Sequence, residues 1–87
     1  MMKKTFTDRS WADYERWLTV DTKILARINK LIKDIERNGL LNGIGKPEHL
    51  KGCNEYSRRI DEKNRLVYTQ DENGTLVILA CKGHYED

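Results

Sequence analysis

One stripe of aliphatic side chains limits what this chain can become. Ile24, Leu25, Ile28, Leu31, Ile32 and Ile35 fall within an arc of about 120° when the backbone winds at 100° per residue. A strand cannot gather them on one side, because its side chains alternate at every residue. The segment is therefore predicted to be an amphipathic helix, opened by Asp21 or Thr22 and stopped at Asn38-Gly39. Its opposite arc carries Lys23, Arg27, Lys30, Lys33 and Arg37, with Asp34 as the main acid. Such an arc is either a solvated face or a surface for RNA phosphates.

A helix with one apolar stripe needs neighbours to cover it. Upstream, Lys3 to Thr7 suits a short strand, and Thr7 or Asp8 can cap a helix running from Ser10 to about Thr19. Trp11, Tyr14 and Leu18 recur there at spacings of three and four, with Trp17 near the stripe's edge. The link between the two helices is so short that they must form a hairpin. Downstream, Leu40 to Gly45 reads as a loop, Pro47 is the only proline, and the period then changes to two. Tyr56, Arg58 and Ile60 alternate with Ser57 and Arg59; Asp61 to Asn64 turns; Arg65 to Gln70 is rich in β-formers. After a second turn, Thr75 to Cys81 is apolar on both faces, as an interior strand requires. The expected fold is α+β in a single domain over residues 1–87: an N-terminal strand and helical hairpin packed on a small antiparallel sheet.

Composition adds exclusions. With 16 basic and 14 acidic residues the net charge is only +2, so total charge does not announce a nucleic-acid binder; its distribution must. No stretch approaches the roughly 20 apolar residues of a membrane span, and no apolar run follows Met1-Met2-Lys3-Lys4 as in a signal peptide. A cytosolic protein is expected, with Cys53 and Cys81 as unpaired thiols and Cys81 buried.

The candidate chemistry lies between Gly45 and Tyr68 and at the chain's end. Glu48 follows Pro47 and stands between Lys46 and Lys51. Arg58 and Arg59 are adjacent on a strand and must point to opposite faces, so at least one of them serves no site on the other face. Arg59 and Arg65 share a face if three or five residues separate the strands, and lie on opposite faces if four do. A guanidinium suits phosphate because its planar fork donates two parallel hydrogen bonds. His84 and Tyr85 follow the apolar strand. Glu48, His49 and His84 lack any recognisable metal-ligand spacing, so neither metal nor cofactor is expected.

Taken together, Gly45-Lys46-Pro47-Glu48-x-Leu50-Lys51, Ser57-Arg58-Arg59-Ile60, Arg65-Leu66-Val67-Tyr68 and His84-Tyr85 closely resemble the YoeB/Txe toxins of the RelE-like superfamily. Trp11, Tyr14 and the helix Ile28-Asn29-x-Leu31-Ile32-Lys33-Asp34 extend the likeness over nearly the whole chain. The resemblance implies a RelE-like microbial ribonuclease fold and a metal-independent endoribonuclease that cuts mRNA on the 70S ribosome. It also implies a cognate antitoxin of YefM type, and leaves monomer and homodimer both open. By motif, Glu48 would be the general base, His84 the acid, and Arg65 and Arg59 the phosphate clamp. Lys46 or Lys51 would assist, and Tyr85 would stack on or orient the substrate. Lys23, Arg27, Lys30, Lys33 and Arg37 would face ribosomal RNA. The turn residues Lys63-Asn64 depart from the family pattern, and Glu86 and Asp87 extend beyond it. The alternative is a non-catalytic relative, such as the ParE branch, or an RNA-binding module.

Overall fold

The computed structural model describes residues 2–83. Strand β1 (Lys4–Phe6) leads into helices α1 (Asp8–Val20) and α2 (Thr22–Asn38). Strands β2 (Glu48–His49), β3 (Tyr56–Arg59), β4 (Arg65–Gln70) and β5 (Leu76–Ala80) follow. The sheet order is β1-β5-β4-β3-β2. The predicted α+β hairpin-on-sheet architecture is observed, but the sheet is mixed rather than wholly antiparallel. β1 runs parallel to β5, because the helical hairpin lies between β1 and the rest of the sheet in sequence and returns the chain across one face.

Local chemistry sets the helix ends. The Thr7 side chain accepts from the Ser10 amide, and the Asp21 carboxylate accepts from the Lys23 and Ile24 amides. Gly39 closes α2, its N–H donating to the Ile35 carbonyl at 2.8 Å. On α2, Ile28, Leu31, Ile32 and Ile35 are buried as predicted. They pack against Leu66, Tyr68, Leu76 and Ile78 from one sheet face.

The stripe on α1 is rotated from its predicted position. Leu18 is 52% exposed and Trp11 48% exposed, whereas Ser10 is fully buried and Tyr14 and Trp17 pack on the core. Polar partners decide this rotation. Ser10 Oγ donates to the Ile78 carbonyl at 2.6 Å, Trp17 Nε1 to the Cys81 carbonyl at 2.9 Å, and Tyr14 Oη to Asn29 Oδ1 at 2.7 Å. Trp11 stacks on Tyr14 and meets Phe6 edge-on, an aromatic group at the β1 border.

Arg58 is the largest fully buried side chain. All five of its N–H donors are used. Nε donates to Tyr68 Oη at 3.0 Å; Nη1 donates to Asp34 Oδ2 and to the Ile44 carbonyl; Nη2 donates to the Gly39 and Asn42 carbonyls. Asp34, read from the sequence as the main acid of the basic arc, thus turns inward. Burial alone would push its carboxyl up. Hydrogen bonds from Arg58, the Ile44 amide and Asn38, with the Arg58 charge, hold it below the ordinary value. The pair staples the loop 39–45 onto β3. A Cβ at Gly43 (φ 119°) would overlap the Asp34 carboxylate, so no larger residue fits there.

Candidate active site

The strand register assembles the candidate residues. Glu48 lies opposite Ser57, Ser57 opposite Val67, and Arg59 opposite Arg65. Directly opposed residues of an antiparallel pair project to the same face, so Glu48, Ser57, Arg59 and Arg65 share one face across three neighbouring strands. It is the face away from the helices. The helix-side core takes Leu66 and Tyr68 from β4, while Val67 joins Leu50 and Ala80 in a smaller cluster on the other side. Five residues separate Arg59 from Arg65, and of the two registers that the sequence left open the odd-with-odd one is observed. Arg58 points the opposite way, as the alternation rule demanded of one member of the pair, and is taken into the core.

Glu48 is on the two-residue edge strand β2 rather than in a loop. Too short to show a period, that strand has no signature in the sequence. It is exposed, and Ser57 Oγ donates to its Oε1 at 3.5 Å. Upstream, the Arg59 amide donates to the Gly45 carbonyl at 2.7 Å, which ties the approach to Glu48 onto β3. Lys46, between Gly45 and Pro47, has φ 50°. That left-handed conformation is disfavoured for a residue with a side chain, above all before proline. Lys46 and Lys51 are both exposed near the rim. His49 points the other way, stacking on Tyr56 at 4.8 Å with Nε2 2.7 Å from the Cys53 carbonyl.

His84 and Tyr85 lie outside the described residues. The segment that leads to them is held at several points. The Cys81 amide donates to Asp13 Oδ2 at 3.3 Å, the Gly83 amide to Asn64 Oδ1 at 2.8 Å, and the Arg65 amide to the Gly83 carbonyl at 3.0 Å. The Asn64 contact is one that sequence reasoning missed. Nothing in a turn sequence shows that its side chain bonds a residue 19 positions away.

The basic arc of α2 is largely exposed. Lys23 and Lys30 are exposed, whereas Arg27 is partly covered and donates to the Arg59 carbonyl at 3.4 Å. Lys33 and Arg37 border a cleft of about 860 Å³ between β1 and the helices, lined also by Phe6, Trp11, Tyr14 and Ile32. Glu48, Arg59 and Arg65 do not line it. No helix among the described residues is long and apolar enough to cross a membrane.

Fold and site together define a small α+β domain with a helical hairpin on one sheet face, and a carboxylate with two guanidinium groups on the other. The family description "YoeB-like toxin of bacterial type II toxin-antitoxin system" matches residues 6–85. Toxin YoeB of Streptomyces coelicolor is 46% identical over 97% of this chain and 100% of its own length. Among solved structures, the YoeB dimer from Staphylococcus aureus superposes with a TM-score of 0.90 at 45% identity, covering 97% of this chain and 98% of that one. The heterotetrameric YoeB-YefM toxin-antitoxin complex from the same organism gives 0.87 at 46% identity, covering 98% and 99%. The chain belongs to the YoeB-like toxins of bacterial type II toxin–antitoxin systems.

Proposed function

We propose that this chain is a metal-independent endoribonuclease that cuts mRNA on the ribosome and is silenced by a cognate antitoxin of YefM type. The observation that carries this reading is the common open face of Glu48, Arg59 and Arg65. Glu48 takes the proton from a ribose 2′-OH, and that oxygen attacks the adjacent phosphorus in line. The bond from phosphorus to the 5′-oxygen breaks, leaving a 2′,3′-cyclic phosphate, and His84 supplies the proton that the departing oxygen needs. Arg59 and Arg65 donate to the non-bridging oxygens as negative charge builds there. Lys46 and Lys51 add positive charge at the rim, and Tyr85 stacks on or orients a base.

The nucleophile belongs to the substrate, so the protein has to supply a base, an acid and fixed cations. Each acid–base group contributes about 10²–10⁴-fold, and each preorganised donor about 3–4 kcal/mol. The basic residues of α2, from Lys23 to Arg37, contact ribosomal RNA.

The test adds purified protein to a ribosome translation mixture and maps mRNA 5′ ends. Wild type produces new ends within codons; Glu48→Gln and His84→Gln each lower the rate by about 10²–10⁴-fold while ribosome binding is retained. Ribosome binding by wild type with intact mRNA would instead make the chain a binding module and defeat the nuclease reading.

A further inference from the structure

A strand of two residues at the edge of a sheet keeps its place only through what anchors it, and β2 is such a strand and carries Glu48. Glu48 faces the open side, so its neighbour His49 faces the other. The His49 ring stacks on Tyr56, directly opposite on β3, with centroids 4.8 Å apart and planes 22° from parallel. Its Nε2 lies 2.7 Å from the Cys53 carbonyl. A carbonyl oxygen can only accept, so Nε2 carries the proton and donates, in the neutral and the charged ring alike.

Both contacts lead to fixed parts of the molecule. Tyr56 stacks in turn on the buried Tyr68 at 5.9 Å. Tyr68 Oη donates to the Leu40 carbonyl at 2.6 Å and accepts from Arg58 Nε at 3.0 Å. His49 is thus the outer end of an aromatic row rooted in the Arg58 network. On the loop side, the Leu50 amide donates to the Glu55 carbonyl at 2.8 Å, and Thr69 Oγ1 donates to the Asn54 carbonyl at 2.5 Å, which ties the loop to β4. Leu50 is buried with Val67 and Ala80, and Cys53 packs against them. Among the described residues the Glu48 side chain has one hydrogen bond, the 3.5 Å contact from Ser57. Its place is therefore set by its backbone.

We propose that His49 is a positioning residue for Glu48: by joining the β2–β3 loop to the Tyr56–Tyr68 row, it holds the two-residue strand, and so the carboxylate, in register with Ser57. The catalytic side of this inference rests on the nuclease reading above; the anchoring of β2 does not. His49 points away from the face shared by Glu48, Arg59 and Arg65, so its loss slows turnover on saturated ribosomes and leaves ribosome binding alone.

The experiment compares His49→Ala and His49→Gln with wild type by amide hydrogen exchange and by single-turnover mRNA cleavage. In His49→Ala the Leu50 amide exchanges roughly tenfold faster, the value of one lost hydrogen bond, while the Leu31 and Ile35 amides of α2 stay protected. At saturating ribosomes its cleavage rate falls about tenfold or more from misplacement of the carboxylate, with the half-saturating ribosome concentration unchanged. His49→Gln keeps an N–H donor of similar reach, so it protects Leu50 better than His49→Ala does and cleaves faster. Protection of Leu50 that survives His49→Ala, cleavage as fast as wild type, or a glutamine no better than alanine overturns the proposal. A raised half-saturating concentration with an unchanged rate would make His49 an RNA contact instead, and loss of protection throughout α2 would make it a general stability residue; either result overturns it as well. If wild type cleaves no mRNA, the nuclease reading has failed, and exchange at Leu50 alone decides whether His49 anchors β2.

Discussion

Replacing Arg58 by Met tests whether this molecule is held together by one buried guanidinium. The substitution removes a side chain with no exposed surface. It leaves the Asp34 carboxylate without its cation, and the Gly39, Asn42 and Ile44 carbonyls without the donors they now share. Breaking a buried pair from one side costs about 3–5 kcal/mol. At 0.05–0.15 kcal/mol per residue, 87 residues have about 4–13 kcal/mol in total. The expected drop in melting temperature is about 12–40 °C at 4–8 °C per kcal/mol. The partner substitution Asp34→Leu should not rescue it. An isolated ion pair can often be replaced by apolar residues without loss, but here three loop carbonyls stay bare, so the double variant remains at least about 2 kcal/mol below wild type. Urea unfolding across pH gives an independent reading. The folded Asp34 carboxyl titrates below its unfolded value of about 3.9. The stability it confers is therefore complete above about pH 4 and is lost as pH falls through the folded value. Arg58→Met should flatten that acid limb. A loss under about 1 kcal/mol, or an acid limb identical to wild type, would refute the argument.

The thiols should differ sharply: a soluble thiol reagent modifies Cys53 in the native protein, while Cys81, with no exposed surface, reacts only on unfolding. Burial, with the Asp13 charge, pushes the Cys81 thiol from 9.0 to about 12, so the stability from keeping it protonated is complete below about pH 9 and declines as pH rises toward 12. Gly43→Ala combines a left-handed backbone with a clash at Asp34 and should cost about 2–4 kcal/mol, measured by urea unfolding. Charge reversal at Lys30 and Arg37 should weaken ribosome binding, and each phosphate left without its cation lowers the slope of log affinity against log salt by about 0.7–0.9; unchanged binding and slope would return that arc to a merely solvated face.

Much of the architecture was legible in the residues themselves. Helix α2, the helical hairpin and β4 to the residue follow from period, caps and the shortness of the link between the helices. All of these depend on neighbours a few positions apart, and backbone geometry translates such spacing into direction. The rotation of α1 was not legible, because it depends on the indole of Trp17 reaching a carbonyl 64 residues later. Nor was the strand character of Glu48, since a two-residue edge strand exists only through its partner.

Arg58 and Asp34 mark the boundary most clearly. Alternation requires Arg58 and Arg59 to face apart, but it cannot say which of the two is taken into the core. Asp34 looks like any acid on a basic helical face until a guanidinium 24 residues away meets it. Local pattern determined which elements form and which side chains share a side. Only tertiary packing decided which charges left water, because a charge is buried solely where distant chain segments supply every hydrogen bond it gives up.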